Sequence, residues 1–392
     1  MKRATSIFIV TLFLIAGCSD GNRSSTVIKP NDHLITVDVT KSYPKKELIL
    51  QDFMDVEYIA LETNDEFLTQ GVVRAIGKDI IVVINSSRDG DIFIYDRNGK
   101  GIRKINRKGQ SGEEYTGIIG IVLDEENNEI FVHERRIWVY DLNGTYKRSF
   151  KYRHDYMFVR FYNYDSDHLF AYDATVEDEG FKKRSAYHAV ISKQDGSIIS
   201  EVQVPFKEKI PTSIQYQTED RVVSSAPDNI NAMIPYQGNW ILTQPSADTI
   251  YMYLPDDSMF PFIVRTPSIQ SMNPVVFLFP QVITDQYYFM RTVKKVAVND
   301  KGQFPTTNLV YDREEQELYE CVVYNDDFST QRMVEMSQQR RIDDGIAFWQ
   351  KLEPSELIEA YSNNELKGRL EEIAAELDEE DNPVIMLVKH KK

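Results

Sequence analysis

Short apolar segments alternate with clusters of polar turn residues along most of this chain, and two of these stretches are nearly the same. IFIYDRNGKGIRKI (residues 92–105) and IWVYDLNGTYKRSF (residues 137–150) align without a gap, 45 residues apart. In each, β-branched and aromatic residues predict a strand, and Asp, Asn and Gly predict a tight turn before a second strand. Each stretch is therefore predicted to be a β-hairpin, which needs further strands beside it for stability.

The segments upstream of the two hairpins supply those strands. GVVRAIGKDIIVVINSS (71–87) precedes the first hairpin, and IIGIVLDEENNEIFVHERR (118–136) precedes the second. Four-stranded units that recur at about this spacing are typical of the blades of a β-propeller. Three further units with more divergent turns are predicted at 157–204, 231–264 and 275–324.

The ends of the body complete the ring in this prediction. A ring whose last blade is not sealed leaves open sheet edges, so segments from both termini are assigned to a sixth blade. These segments are LITVDV (34–39), DVEYIALET (55–63), DGIAFWQ (344–350) and NPVIMLVKH (382–390). The predicted fold is all-β, a six-bladed β-propeller closed by N- and C-terminal strands.

One segment near the C-terminus has helical instead of alternating periodicity. Between residues 354 and 379 the apolar positions fall at helical spacing: Leu366, Leu370, Ile373, Ala374 and Leu377. Asn363 or Asn364 is a candidate cap for its start, and Pro383 blocks its continuation. We predict a short helical insertion that packs on the rim beside blade six; a helix that binds a partner is the alternative.

The first residues have the pattern of an export signal. Lys2 and Arg3 precede an apolar run (residues 7–15) that is too short to span a bilayer, and small residues then lead to Cys18. This combination resembles the lipobox of bacterial lipoproteins, which implies acylation of Cys18 and cleavage before it. The alternative is an ordinary secretory signal with an incidental cysteine. The predicted organisation is a signal peptide at 1–17, a polar tether at 18–32 and a propeller body at 33–392.

Charge and cysteine content restrict the classes of partner. The net charge is −16, and it becomes −18 without residues 1–17, from 43 Lys and Arg against 61 Asp and Glu. Such an acidic chain is a poor partner for nucleic acid, which is a polyanion. With Cys18 acylated, Cys321 would be the only other cysteine, so it has no intrachain disulfide partner and is predicted to be a small buried apolar residue.

Several of these segments together resemble a known family. They are DVEYIALET, IFIYDRNGKGIRKINRKGQSGEEY, IWVYDLNGTYKRSF and DEEDNPVIMLVKHKK, and the resemblance is strongest over residues 55–150 and 366–391. They resemble the six-bladed β-propeller lipoproteins of Bacteroidetes, which are related in shape to NHL and TolB-like propellers. The resemblance implies a lipid-anchored protein of the cell envelope, with the outer membrane favoured because Ser19 follows the cysteine.

Residues that bind metals are present but do not form a known motif. His133, His154, His168 and His188 lack the spacing of a metalloprotease or zinc finger, and we interpret them as surface or edge residues. The acidic run at 164–180 lacks the pattern of a calcium loop and is interpreted as a solvated loop of blade three. No metal and no cofactor is predicted.

The remaining candidates are residues that would bind a ligand without catalysing a reaction. Arg74 and Arg160 lie in predicted innermost strands, where they either meet an anionic ligand in the central channel or pair with neighbouring acids. Aromatic residues in predicted loops offer platforms for sugars or peptides: Tyr115, Tyr152, Tyr156, Tyr236 and Trp240. The favoured function is a non-enzymatic binding or scaffolding lipoprotein for a protein, peptide or glycan. The alternative is a metal-dependent propeller lyase or hydrolase acting on a peptide or polysaccharide.

Overall fold

The structure, a computed structural model, describes residues 34–153, 155–174, 186–217, 222–227, 230–296, 304–337 and 345–391. The predicted signal peptide and tether, including Cys18, lie outside the described residues, as does His154. Within these ranges no helix is both long enough and apolar enough to cross a membrane.

The body opens with three strands that belong to three different sheets. They are β1 (Ile35–Asp38), β2 (Lys45–Ile49) and β3 (Met54–Ala60), with the one-turn helix α1 (Leu50–Phe53) between the last two. The next three sheets are four-stranded antiparallel blades in which consecutive strands pair. Blade one consists of β4 (Val72–Ile76), β5 (Ile80–Ile84), β6 (Asp91–Asp96) and β7 (Gly101–Asn106). Blade two consists of β8 (Gly120–Asp124), β9 (Glu129–His133), β10 (Ile137–Asp141) and β11 (Tyr146–Phe150). Blade three consists of β12 (Phe158–Asn163), β13 (His168–Asp173), β14 (His188–Ser192) and β15 (Ile198–Val202).

The second half of the chain continues the ring after a separate two-stranded hairpin, β16 (Ile214–Gln217) and β17 (Val222–Ser225). Blade four is β18 (Met233–Tyr236), β19 (Asn239–Leu242), β20 (Thr249–Tyr253) and β21 (Met259–Thr266), followed by a 3-10 turn at Ile269–Ser271. Blade five consists of β22 (Val276–Ile283), β23 (Tyr287–Lys294), β24 (Thr306–Asp312) and β25 (Glu317–Asn325), and β26 (Arg332–Val334) pairs with β25. Blade six consists of β3, β27 (Ile346–Leu352) and β28 (Val384–His390). The helices α2 (Pro354–Ser362) and α3 (Gly368–Ala374) lie between β27 and β28 in the sequence. The six-bladed all-β prediction is confirmed.

Blade six is closed by the two ends of the body. The C-terminal strand β28 lies between β27 and β3, and its antiparallel register with β3 runs from Val384 opposite Ala60 to His390 opposite Met54. The five residues Val384–Val388 are at most 1% exposed. The strand in the middle of the last blade is therefore the last strand of the chain.

Asn382, just before β28, fastens this closure to the loop that leads into blade one. Its side-chain amide donates to the carbonyls of Glu62 and Phe67, and its side-chain oxygen accepts the backbone N–H of Thr69 at 2.8 Å. The side chain is buried. One residue thus satisfies three backbone groups that the closure removes from water.

In both blades that contain it, the repeated sequence forms a tight turn that packs closely against the preceding strands. In both hairpins an aspartate side chain, Asp96 or Asp141, accepts backbone N–H groups of its own turn at 2.8–2.9 Å. The glycine that follows has a positive φ, +84° at Gly99 and +81° at Gly144. A Cβ on Gly144 would lie 2.9 Å from Ile105 of blade one, so the turn approaches its neighbour too closely for a side chain.

Two N-terminal strands differ from the prediction: one pairs with a different blade, and the other was not predicted. LITVDV was assigned to blade six, but its strand β1 pairs in parallel with β21 on the outer edge of blade four, with Ile35 opposite Ile263. Strand β2 was not predicted and pairs in parallel with β25 of blade five. The alternating pattern of a short strand identifies its buried face, and it does not identify the edge to which the strand binds.

The helical insertion is two short helices in place of the single predicted one. Asn363 is the C-cap of α2 instead of an N-cap, and α3 begins after Lys367. The break lies at Asn364, which has a φ of +56°. The buried residues of α3 join the apolar core that blades five and six share, so the insertion packs on the propeller as predicted.

Candidate functional site

A cavity of about 620 Å³ lies among blades one, two and three. Its walls are the first strands of these blades, β4, β8 and β12, and β8 contacts both of the others, as innermost strands of neighbouring blades do. The turn that follows each of these strands also lines it. Concave sites of this size are typical of small-ligand binding.

Arg74 and Arg160 both line this cavity, each in an innermost strand as the sequence indicated. The pairing register of β4 skips Arg74, and the register of β12 skips Val159, the residue before Arg160. Each strand therefore carries a β-bulge, a feature that changes the direction of side chains on a strand.

The two guanidinium groups have no acidic partner among the described residues. Burial and then the positive charge of Arg160 lower the pKa of Arg74, and no carboxylate opposes these effects. Nε of Arg74 is buried without a hydrogen-bond partner. The predicted alternative, that neighbouring acids pair with these arginines, is not what the described residues show. Two like charges in one cavity, with an unused buried donor, form an incomplete site for an anion.

The opposite end of the cavity is acidic. The turns after the three innermost strands, together with the last residue of β8, contribute five carboxylates, against the two lysines Lys78 and Lys193. The carboxylates are Asp79, Asp124, Glu125, Glu126 and Asp165. We call this part of the cavity the carboxylate end, and the part at Arg74 and Arg160 the arginine end.

Some of these charges hold the blades together. Glu125 of blade two accepts the backbone N–H groups of Asp79 and Ile80 of blade one, both at 3.0 Å. Lys193 of blade three is buried and donates to Asp124 of blade two at 2.5 Å. Asp79 and Glu126 are exposed at the rim of the same end. These contacts were not predicted from the sequence, because they join residues that lie about 45 to 70 positions apart.

His133 also lines the cavity, and it is buried, which corrects its interpretation as a surface residue. Its ring lies edge-on to Phe161 at a centroid distance of 4.5 Å, and the hydroxyl of Tyr152 is 3.5 Å from its Nε2. His168 is hydrogen-bonded to Asp165 through Nδ1 at 2.9 Å. Across the described ranges no three His, Cys, Asp or Glu side chains are grouped as metal ligands.

The aromatic residues proposed as platforms are mostly parts of the core. Tyr115, Tyr156, Tyr236 and Trp240 are all buried, which corrects their placement on exposed loops. Tyr115 closes the loop after blade one, donating to the carbonyl of Gly90 at 2.6 Å. Tyr236 is not among the residues that line the cavity, and its ring contacts Tyr288 of blade five. Burial also holds Cys321 as an apolar residue and raises the pKa of its thiol to about 12.

His188 is a buried histidine that makes stability depend on pH. Nε2 lies 2.9 Å from the carbonyl of Ala232, whereas Nδ1 is buried without a partner. Burial lowers the pKa of His188 to about 4, with a smaller effect from Lys209. The imidazole is therefore neutral in the folded protein at pH values where an unfolded histidine, with a pKa near 6.5, takes up a proton.

We expect the free energy of unfolding to fall as the pH drops from about 6.5 to 4, because in this window the unfolded state binds a proton that the folded state does not. The loss attributable to His188 should be about 3 kcal/mol. Urea unfolding at pH 7.0, 5.5 and 4.5 measures it. The His188→Gln variant should lose this part of the dependence, whereas His168→Gln, a partly exposed control, should keep it. Equal slopes for wild type and His188→Gln would contradict the assignment.

Known structures share this fold at low sequence identity. A protein of Bacteroides fragilis whose name assigns it to the exported proteins has 15% identity and a TM-score of 0.60, and the match covers 92% of this chain and 100% of that one. U3-55K has 8% identity and a TM-score of 0.37, with coverage of 84% and 98%. Virginiamycin B lyase from Staphylococcus aureus has 10% identity and a TM-score of 0.30, with coverage of 64% and 88%. The first of these supports the fold alone, and the other two carry no argument about activity.

No curated protein matches this chain. A family model described as a 6-bladed beta-propeller matches residues 27–346, which is most of the sequence. The match includes all of blades one to five and therefore the cavity with Arg74 and Arg160. The chain belongs to the DUF5128 family of six-bladed β-propellers.

Proposed function

We propose that this protein is a non-enzymatic binding protein of the cell envelope, and that its ligand presents an anionic group to Arg74 and Arg160. The observation that carries the proposal is a pair of arginines in a cavity of about 620 Å³ that has no acidic partner among the described residues. Placing two like charges together without a counter-charge costs stability, and a bound anion would remove that cost. A group retained at such a cost is characteristic of a binding site.

The proposal predicts that an anion binds the wild type and not a variant without the two charges. The probes are acetate, succinate, trigalacturonate and tetra-alanine, each added to the purified full-length chain in detergent. We expect at least one of them to raise the melting temperature of the wild type and to leave that of the Arg74→Gln/Arg160→Gln variant unchanged. The variant should fold, because it removes charge repulsion from a partly buried position.

Arg103→Gln is the matched control for this experiment. Arg103 is an exposed arginine on the outermost strand of blade one, far in sequence from both strands that carry the site. It should respond to the probes as the wild type does. If no probe shifts the wild type, or if the double variant responds equally, the arginine pair is not a binding site.

We further propose that Cys18 carries the lipid that holds the protein at the envelope, with the outer membrane as the favoured location. The support is the sequence pattern at residues 2–18 and the fold shared with a protein whose name assigns it to export. Two or more acyl chains give stable attachment to a bilayer. Cys18→Ser should move the protein from the membrane fraction to the soluble fraction or leave it unprocessed, as measured by fractionation and palmitate labelling. Unchanged membrane attachment in this variant would place the anchor elsewhere.

A further inference from the structure

The charges of the cavity are separated along its length, and from this separation we infer that the ligand is a short peptide with free termini. The peptide is extended, with its terminal carboxylate at the arginine end and its terminal ammonium at the carboxylate end. This inference rests on the proposed function, because it takes the arginine pair as the anion site and adds the chemistry of the rest of the ligand.

The length of the peptide follows from the strands that form the walls. Arg74 and Asp79 lie five residues apart along one wall, and Arg160 and Asp165 lie five residues apart along another. Three of these five steps, to Gly77 and to Asn163, precede the turn, and at about 3.3 Å per residue they correspond to roughly 10 Å of extended backbone. An extended peptide of about three or four residues spans this distance between its termini.

The charge pattern distinguishes this ligand from polyanions. An oligouronate carries a negative charge on each sugar, so its far end would meet the carboxylate end, where Asp79 and Glu126 are exposed. Only two lysines lie there, and Lys193 already donates to Asp124. A zwitterion has one charge of each sign and matches both ends, whereas like charges placed together are repelled.

Apolar side chains near the arginines provide the remaining surface. Phe161 and Val159 line the cavity on either side of Arg160, and Val159 is 39% exposed. An aliphatic side chain at the C-terminal residue of the peptide would cover this surface. Carboxylate recognition by arginine would then be combined with apolar burial at the same end of the ligand.

Isothermal titration calorimetry with four synthetic ligands tests the inference. They are tetra-alanine with free termini, its C-terminal amide, its N-acetyl form and dialanine. We expect the full-length protein to bind tetra-alanine, and amidation to weaken binding about tenfold or more because a charge-assisted interaction is lost. Acetylation should weaken it several-fold, and dialanine should bind more weakly than tetra-alanine because it cannot reach both ends.

Variants assign each effect to one end of the cavity. Asp79→Asn/Glu126→Gln should bind free and acetylated tetra-alanine equally, whereas Arg74→Gln/Arg160→Gln should no longer distinguish the acid from the amide. Arg103→Gln should behave as the wild type. If the amide binds as tightly as the acid, the inference is overturned. If trigalacturonate binds the wild type but not Arg74→Gln/Arg160→Gln, and tetra-alanine does not bind, the proposed anion site is supported and the inference of a peptide ligand is wrong. If none of these ligands and no other anionic probe binds, both proposals fail.

Discussion

A chain that lacks residues 383–392 is expected to be insoluble or rapidly degraded, because the deletion removes the middle strand of blade six. Strand β28 pairs with β27 on one side and with β3 on the other, so both neighbours lose their partner. The five fully buried residues Val384–Val388 contribute about 1.5–3 kcal/mol each. Their sum approaches the roughly 5–15 kcal/mol that stabilises an ordinary domain.

Limited proteolysis and thermal unfolding of the truncated chain measure this effect. Leu387→Ala provides a graded comparison, since it removes one fully buried side chain and leaves the strand in place. That variant should remain folded and lose about 2–5 kcal/mol. A truncated chain that melts like the wild type would show that the C-terminal strand is an appendage and that the ring is not closed by it.

Asn382→Asp is expected to destabilise the protein by about 3 kcal/mol or more, although it changes one atom type in a side chain of the same shape. The carbonyls of Glu62 and Phe67 would lose their donor and face a carboxylate oxygen in a buried site. Each buried polar group left without a partner costs about 1–3 kcal/mol, and a buried unpaired charge costs more.

Urea unfolding of Asn382→Asp and of Asn98→Asp tests this assignment. Asn98 lies in the exposed turn of the first repeated hairpin, so its substitution adds the same negative charge in water. We expect the Asn98 variant to stay within about 0.5 kcal/mol of the wild type. Equal stability of the two variants would mean that the Asn382 amide does not hold the closure.

The sequence was sufficient for the blades because their information is local. An Asp that binds its own turn and a Gly that permits positive φ mark the two repeated hairpins within a few residues, as at Asp96 and Gly99. Strand β1 was misplaced for the opposite reason. Four residues define a face, while the choice between the edges of blades four and six depends on residues more than 200 positions away.

The candidate site also has a part that the sequence predicted and a part that it did not. The order of strands within a blade was enough to place Arg74 and Arg160 on innermost strands, whereas the β-bulges at these positions were not predicted. The carboxylate end was not predicted, because its acids come from three different blades and meet only when these blades pack together. Tyr115 and Trp240 were misread because a polar neighbour in the sequence does not show whether a ring is buried.

The three N-terminal strands also determine the order in which parts of the protein can fold. Synthesis delivers β1, β2 and β3 first, yet their partners begin at Ile263, Glu320 and Val384, and Met54 meets His390 only after the whole chain is made. Blades one to three pair consecutive strands and can assemble as they emerge from the ribosome. Residues 34–60 must instead wait, with unpaired strand edges, for contacts of very high sequence separation, which are slow to form. A chaperone that covers this waiting segment would therefore protect the protein at its most vulnerable stage.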